Sequence, residues 1–217
     1  MPSQARIKAR DKMLPAIDRL VESYAELRTG RRGPDPHNAI LQAGVVMICA
    51  TWELYCESVL VEAANKLVQK VNDPTRLPEA VKRRLKLAVH DKEVDKSDPL
   101  ALAADGWKLK LLETVGAESR TLNTPKSERI EALFRVNLGL RNLPNSWTHS
   151  AAEIDDFVTL RGDIAHNGTD ASNVSQTQIR HIKSLVSKTN TDTDDAVYEY
   201  LKRPDITGAA PWQRTNA

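Results

Sequence analysis

From Asp35 to about Val71 the chain contains one glycine, Gly44, and no proline after Pro36. A run of that length without breakers reads as a helix of about nine or ten turns, with Asp35 as its cap and Pro36 in its first position, where a missing N–H costs nothing. Its middle, from Ala43 to Ala50, is apolar on every side. A helix apolar all round must be enclosed, here by other helices or by a second subunit, so this segment is expected to be the central element of the fold.

The remaining sequence follows the same period. Aromatic residues make up only 5% of the chain and apolar residues recur at three- and four-residue spacing, which predicts an all-α protein. A first helix is expected from Gln4 to Arg28, interrupted near Pro15, with Ile7, Met13, Leu14, Ile17, Leu20, Val21, Tyr24 and Leu27 facing inward. Residues 29–34 read as a stop and a turn. Shorter helices, expected to be peripheral, follow at about Pro78 to His90, Leu100 to Glu118 and Lys126 to Leu140, with a polar loop from Asp91 to Pro99. Ser150 to Glu153 is a capping box opening a helix through Ile154, Phe157, Val158, Leu160 and Ile164, which should end near His166 because Asn167 and Gly168 tolerate left-handed geometry. Ser175 to Gln178 resembles a second capping box, and starts a last helix with Ile179, Ile182, Leu185 and Val186 inward. One domain over residues 1–203 is expected, with residues 1–33 as an N-terminal helix and turn and residues 204–217 as a flexible tail.

The composition excludes several function classes. With 31 basic and 29 acidic side chains the formal charge is +2, so no global field draws the chain to nucleic acid or to an anionic membrane. Binding of that kind has to be local, at the eight Lys or Arg of the first 33 residues or at Lys82, Arg83, Arg84 and Lys86, and most such runs are solvated helix faces. Cys49 and Cys56 lie seven apart on one helix, roughly 10 Å between Cα atoms, and cannot pair with each other. Two buried thiols and no Cys-x-x-Cys spacing point to a reducing, cytoplasmic setting without a zinc site. The longest uncharged apolar stretch is too short to cross a bilayer, which takes about 20 residues, so no membrane association is expected. No cofactor is expected either: Walker, Gly-x-Gly-x-x-Gly and His-Glu-x-x-His patterns are all lacking, and His37, His90, His149 and His181 show no metal-ligand spacing.

The segment from Leu160 to Gly168 places Arg161, Asp163, His166 and two turn-formers within nine residues. Arginine offers a permanent charge and a planar fork for phosphate oxygens, and histidine exchanges protons near neutral pH. Together they meet the minimum need of RNA cleavage without a metal. Five residues apart on a regular helix they project roughly 140° from one another, so sharing a groove requires the helix to loosen at Ala165. The structural reading stands beside this one: Arg161 pairs with Asp156 or Asp163, and His166 caps a helix C-terminus, where imidazolium is favoured.

Arg161, Gly162, Asp163, Ile164, Ala165 and His166 match the Arg-x4-6-His signature of HEPN domains. Trp52, Glu53 and Tyr55, within Ala50 to Glu57, resemble the Trp-Glu-x-Tyr stretch of the RiboL-PSP-HEPN branch. The similarity spans about residues 38–187. It implies a HEPN-like helical bundle around a long central helix, forming a two-fold homodimer whose subunits bring their Arg and His motifs to one groove. Many relatives are ribonucleases in toxin–antitoxin or phage-defence systems, which implies an endoribonuclease with RNA as substrate and a protein antitoxin as a possible partner; others are non-catalytic and bind RNA, nucleotide or protein. Residue by residue, the resemblance implies acid/base chemistry for His166, phosphate stabilisation for Arg161 and an orienting role for Asp163. Asn167 stands where relatives often have Gly directly after His. Trp52 and Tyr55 read as core or interface aromatics. Glu53 reads either as a structural ion-pair partner or as a group that polarises the motif Arg or His.

Overall fold

A computed structural model describes residues 1–28, 35–90, 99–168 and 171–214. All regular elements among them are helical. Helix α1 (Gln4–Lys8) passes through a wide π turn (Ala9–Met13) into α2 (Leu14–Leu27). The break falls where the sequence predicts it, because Pro15 has no N–H to continue the ladder. Ile17, Val21 and Tyr24 are buried, whereas Leu27, expected inward, is 47% exposed at the frayed end of α2. The predicted turn over 29–34 lies outside the described residues.

The long helix α3 (Asn38–Lys70) has 33 residues and begins three residues after Asp35. Asp35 accepts from the His37 N–H and from the Tyr24 hydroxyl, so it ties α2 to the helix entry instead of capping α3 itself. Around α3 pack α1, α2, α5 (Gly106–Ser119), α6 (Ser127–Leu138), α7 (Ala151–Asn167) and α8 (Gln176–Lys202), while α4 (Glu79–His90) packs on α6. Trp52, Tyr55, Leu60 and Leu67 of α3 are sealed. Trp52 stacks on Tyr55 at 5.9 Å and meets Trp147 edge-on at 5.8 Å, which assigns both motif-branch aromatics to the core. Their polar ends are satisfied, Trp52 Nε1 donating to the Pro125 carbonyl and the Tyr55 hydroxyl to that of Asn190. At Gly44 a Cβ would stand 2.7 Å from the Ile179 side chain, so this glycine lets α8 close on α3.

Three expectations change. Helices α5 and α6 are not peripheral, since Leu111, Val115, Ile130, Phe134 and Leu138 belong to the sealed core. The segment 204–214, expected to be a flexible tail, folds back: Ile206 is buried, Trp212 packs against the core, and Gln213 and Met1 exchange two hydrogen bonds. Residues 215–217 and 91–98 lie outside the described set. Finally, α3 is long and apolar enough by length and composition to cross a membrane, although its wholly apolar run, Ala43 to Ala50, is short; 56% of its most apolar stretch is buried inside the bundle, as befits a core helix. Both cysteines are buried and unpaired.

Candidate active site

Helix α7 carries the Arg161 to His166 segment. Its start is the expected capping box: the Ser150 hydroxyl accepts from the Glu153 N–H and Glu153 accepts from the Ser150 N–H. Its end is Gly168, in the positive-φ region, whose N–H bonds the Ile164 carbonyl. Between them the helix stays regular through Asn167, so the loosening at Ala165 that would let His166 swing toward Arg161 does not occur. Within one chain the two side chains project from different sides of α7, roughly 140° apart and about 7.5 Å along the axis.

Arg161 is half-buried where α7 packs on α3, close enough for its charge to act on Cys49 and Glu53. Burial pushes the Cys49 thiol up to about 11, with Arg161 pulling against that and Glu53 adding to it. The Glu53 carboxyl is held above its ordinary range chiefly by burial and then by Glu57 one turn away, opposed by Arg161. Glu57 is raised by burial in the same manner and opposed by Arg120. Among the described residues the Arg161 side chain forms no ion pair and no hydrogen bond. Of the two partners expected under the structural reading, Asp156 forms no ion pair with Arg161 and Asp163 is engaged elsewhere. It accepts from Asn167 Nδ2 at 2.6 Å and from the Ser172 N–H at 3.2 Å, which together hold its carboxyl below the ordinary range.

His166 is exposed in the last turn of α7. Asn167 serves to brace Asp163 and is exposed as well. Gly162 lies one turn before His166 on the same outward face, and a Cβ placed there meets no atom within 4 Å. The structure therefore brings Arg161, Glu53 and Cys49 together at the α3–α7 seam and leaves His166 exposed and Gly162 half-buried with room for a side chain, while Asp163 and Asn167 brace the helix end. Sequence reasoning missed Cys49, Glu57 and Arg120 as neighbours of this seam. The four-residue spacing of Cys49 and Glu57 on either side of Glu53 on one helix is the signal that places the first two there. Among the described residues no three His, Cys, Asp or Glu side chains converge as a metal ion requires. His149 meets Glu153 at 3.3 Å and His181 edge-on at 6.4 Å, away from the motif.

The family model of RiboL-PSP-HEPN matches residues 13–199. The chain belongs to this family. The match takes in α2 and nearly all of α8, extending beyond residues 38–187 at both ends, while α1 lies outside it. No curated protein and no solved structure matches this HEPN chain. Membership supports an all-helical HEPN fold and a general connection to RNA and to nuclease activity.

Proposed function

We propose that the protein is an endoribonuclease that needs no metal, in which the RNA 2′-hydroxyl attacks the adjacent phosphorus, His166 moves protons and Arg161 holds the charge growing on the non-bridging oxygens. The observation that carries this is the guanidinium of Arg161, which sits half-buried with no hydrogen bond or ion pair to any described residue, while Asp163, one of its two expected partners, is spent on Asn167 and Ser172. A half-buried cation left open is costly unless an anion visits it. Acid–base help from a positioned histidine is worth roughly 10²- to 10⁴-fold, and a preorganised cation adds several kcal/mol, about what removal of one oxyanion donor costs elsewhere.

Because Arg161 and His166 diverge on a regular helix, the reading requires a homodimer in which Arg161 of one protomer and His166 of the other face one phosphate. Support comes from α3, where Ala39, Ala43, Met47 and Ala50 form an exposed apolar stripe, Met47 being 40% exposed, beside the seam that holds Arg161. Family membership makes a toxin or phage-defence role, a cytoplasmic setting and a protein antitoxin the matching biology. The same divergence favours a second reading, a non-catalytic module that binds RNA, nucleotide or a protein partner through the two side chains separately.

Purified protein incubated with RNA in excess EDTA separates the two. The enzyme leaves a 2′,3′-cyclic phosphate upstream and a 5′-hydroxyl downstream, His166→Ala abolishes this with the fold unchanged, and a 2′-deoxynucleotide at the cut site blocks it. Mixing His166→Ala with Arg161→Ala protein restores about a quarter of wild-type activity, since half of the dimers are mixed and one of the two Arg161–His166 pairs in the shared groove of each is intact. Binding without cleavage supports the module; 5′-phosphate ends or dependence on magnesium refute the mechanism.

A further inference from the structure

Two buried amides on α3 have no part in the chemistry above. Asn38 and Gln42 are only 8% and 6% exposed, on a helix whose neighbouring Leu41 and Val45 are fully sealed. Amides buried among apolar side chains are costly unless bonded, so their partners show what they are there for. Asn38 closes on both backbone groups of one residue: its Oδ1 accepts from the Val174 N–H at 3.1 Å and its Nδ2 donates to the Val174 carbonyl at 2.7 Å. Gln42 Nε2 donates to the Ser172 carbonyl at 3.4 Å. The N–H of the same Ser172 goes to Asp163 on the motif helix, and the other oxygen of Asp163 takes Asn167, the residue after His166. One chain of hydrogen bonds thus runs from the start of α3 through residues 172–174 to the turn of α7 that carries His166.

We propose that Asn38, seconded by Gln42, is a positioning residue for His166. This rests on the ribonuclease reading. His166 is exposed and has no side-chain partner among the described residues, so its place depends on the backbone of the helix end. Ala171 and Val174 already anchor the segment by burial, but apolar packing tolerates sliding, whereas an amide bonded to both groups of one residue fixes the register. The clamp holds the segment in that register, and Asp163 transmits it to the histidine-bearing turn.

The test compares Asn38→Ala and Asn38→Asp in the full-length protein, measuring kcat, KM and melting together. Asn38→Ala loses about 10²-fold in kcat, the usual cost of a reacting group misplaced by about 1 Å, with KM within about twofold of wild type because Arg161 is untouched. Asn38→Asp behaves like Asn38→Ala when ionised and recovers toward wild type as pH falls, since a protonated carboxyl again offers one donor and one acceptor to Val174. Asp35 and His37 flank position 38 and Asp163 faces it across Ser172; all three are present in the wild type, so each profile is read relative to it. Amide exchange at Ser172 and Val174 rises in step with the loss of kcat. A wild-type kcat in Asn38→Ala, a defect confined to KM, or the same pH profile in the two variants overturns the clamp. If Asn38→Ala does not fold, Asp163→Asn on the accessible side of the same chain of bonds replaces it, and an unchanged kcat there is equally fatal. Cleavage that depends on His166 but ignores these substitutions overturns the clamp alone; wild-type protein that cleaves no RNA overturns the enzyme reading and the clamp with it.

Discussion

Glycine in the interior of a helix costs roughly 0.8 to 1 kcal/mol relative to alanine. Gly162 lies well inside α7, and nothing among the described residues asks for it: the helix is regular and a Cβ there meets no described atom within 4 Å. Gly162→Ala is therefore expected to stabilise the protomer by about 0.5–1 kcal/mol, which for a chain of this size raises Tm by about 1–4 °C. The same methyl stands on the outward face of α7, one turn below His166. If that face receives RNA or a second protomer at backbone distance, cleavage falls by at least about tenfold while the monomer becomes more stable. Thermal melts at low protein concentration, sedimentation and a cleavage assay on one preparation read all three quantities. Opposite signs for stability and activity locate the obstruction outside the chain, because no internal contact has been disturbed. A more stable variant with full activity refutes the argument that the face is used, and a less stable variant refutes the description of α7 as a strain-free helix at this position.

Glu53→Gln distinguishes the two roles of that carboxyl. Its folded-state pKa is raised, chiefly by burial, so its charge costs stability: the cost is absent below the ordinary value of about 4.3 and complete once pH exceeds the folded value. The variant is expected to melt higher than wild type at neutral pH, with the difference vanishing below about pH 4; a lower melting temperature at pH 7 means that attraction to Arg161 outweighs burial. Cys49, 1% exposed and pushed up to about 11, should resist alkylation in the folded protein at pH 8, where only about one thiol in a thousand is ionised, and react fully in denaturant. Stoichiometric labelling of native protein contradicts the sealed α3–α7 seam.

Features decided by local chemistry were legible in the sequence. The capping box at Ser150, the uninterrupted length of α3, the break at Pro15 and the stop at Gly168 each depend on residues within a few positions of one another, and each lies within a few residues of where it was read. What escaped depends on distant parts of the chain. Asn38 and Val174 are 136 residues apart, and only the finished bundle shows that two amides on an apolar face read the backbone of a segment beside the motif. The docking of residues 204–214 escaped for the same reason, as its Gly and Pro content resembles a loose tail until Ile206 and Trp212 find the core. At the site, the identities of Arg161 and His166 were legible from spacing, but the lack of an ion pair at Arg161 among the described residues was not, because both of its expected partners, Asp156 and Asp163, were plausible and Asp163 accepts from Asn167 and Ser172 instead.

A helix apolar on all sides asks for more cover than this chain gives α3. Helices α1, α2, α5, α6, α7 and α8 enclose most of its circumference, yet Ala39, Ala43, Met47 and Ala50 remain exposed along one line. The next turns of that line carry Glu53 and Glu57, so the stripe changes from apolar to acidic where Arg161 approaches. Under the proposed dimer, an apolar strip ending at a half-buried cation that is unpaired among the described residues suits a surface that meets its own copy: a two-fold axis across the strip would bury the alanines and the methionine, and would carry two Arg161 side chains and two outward-facing histidines toward one groove. Two guanidinium groups brought together repel unless an anion lies between them, and a phosphodiester supplies that charge. Under the proposed ribonuclease reading, the regularity of α7, which keeps Arg161 and His166 apart within one chain, would make the site depend on assembly.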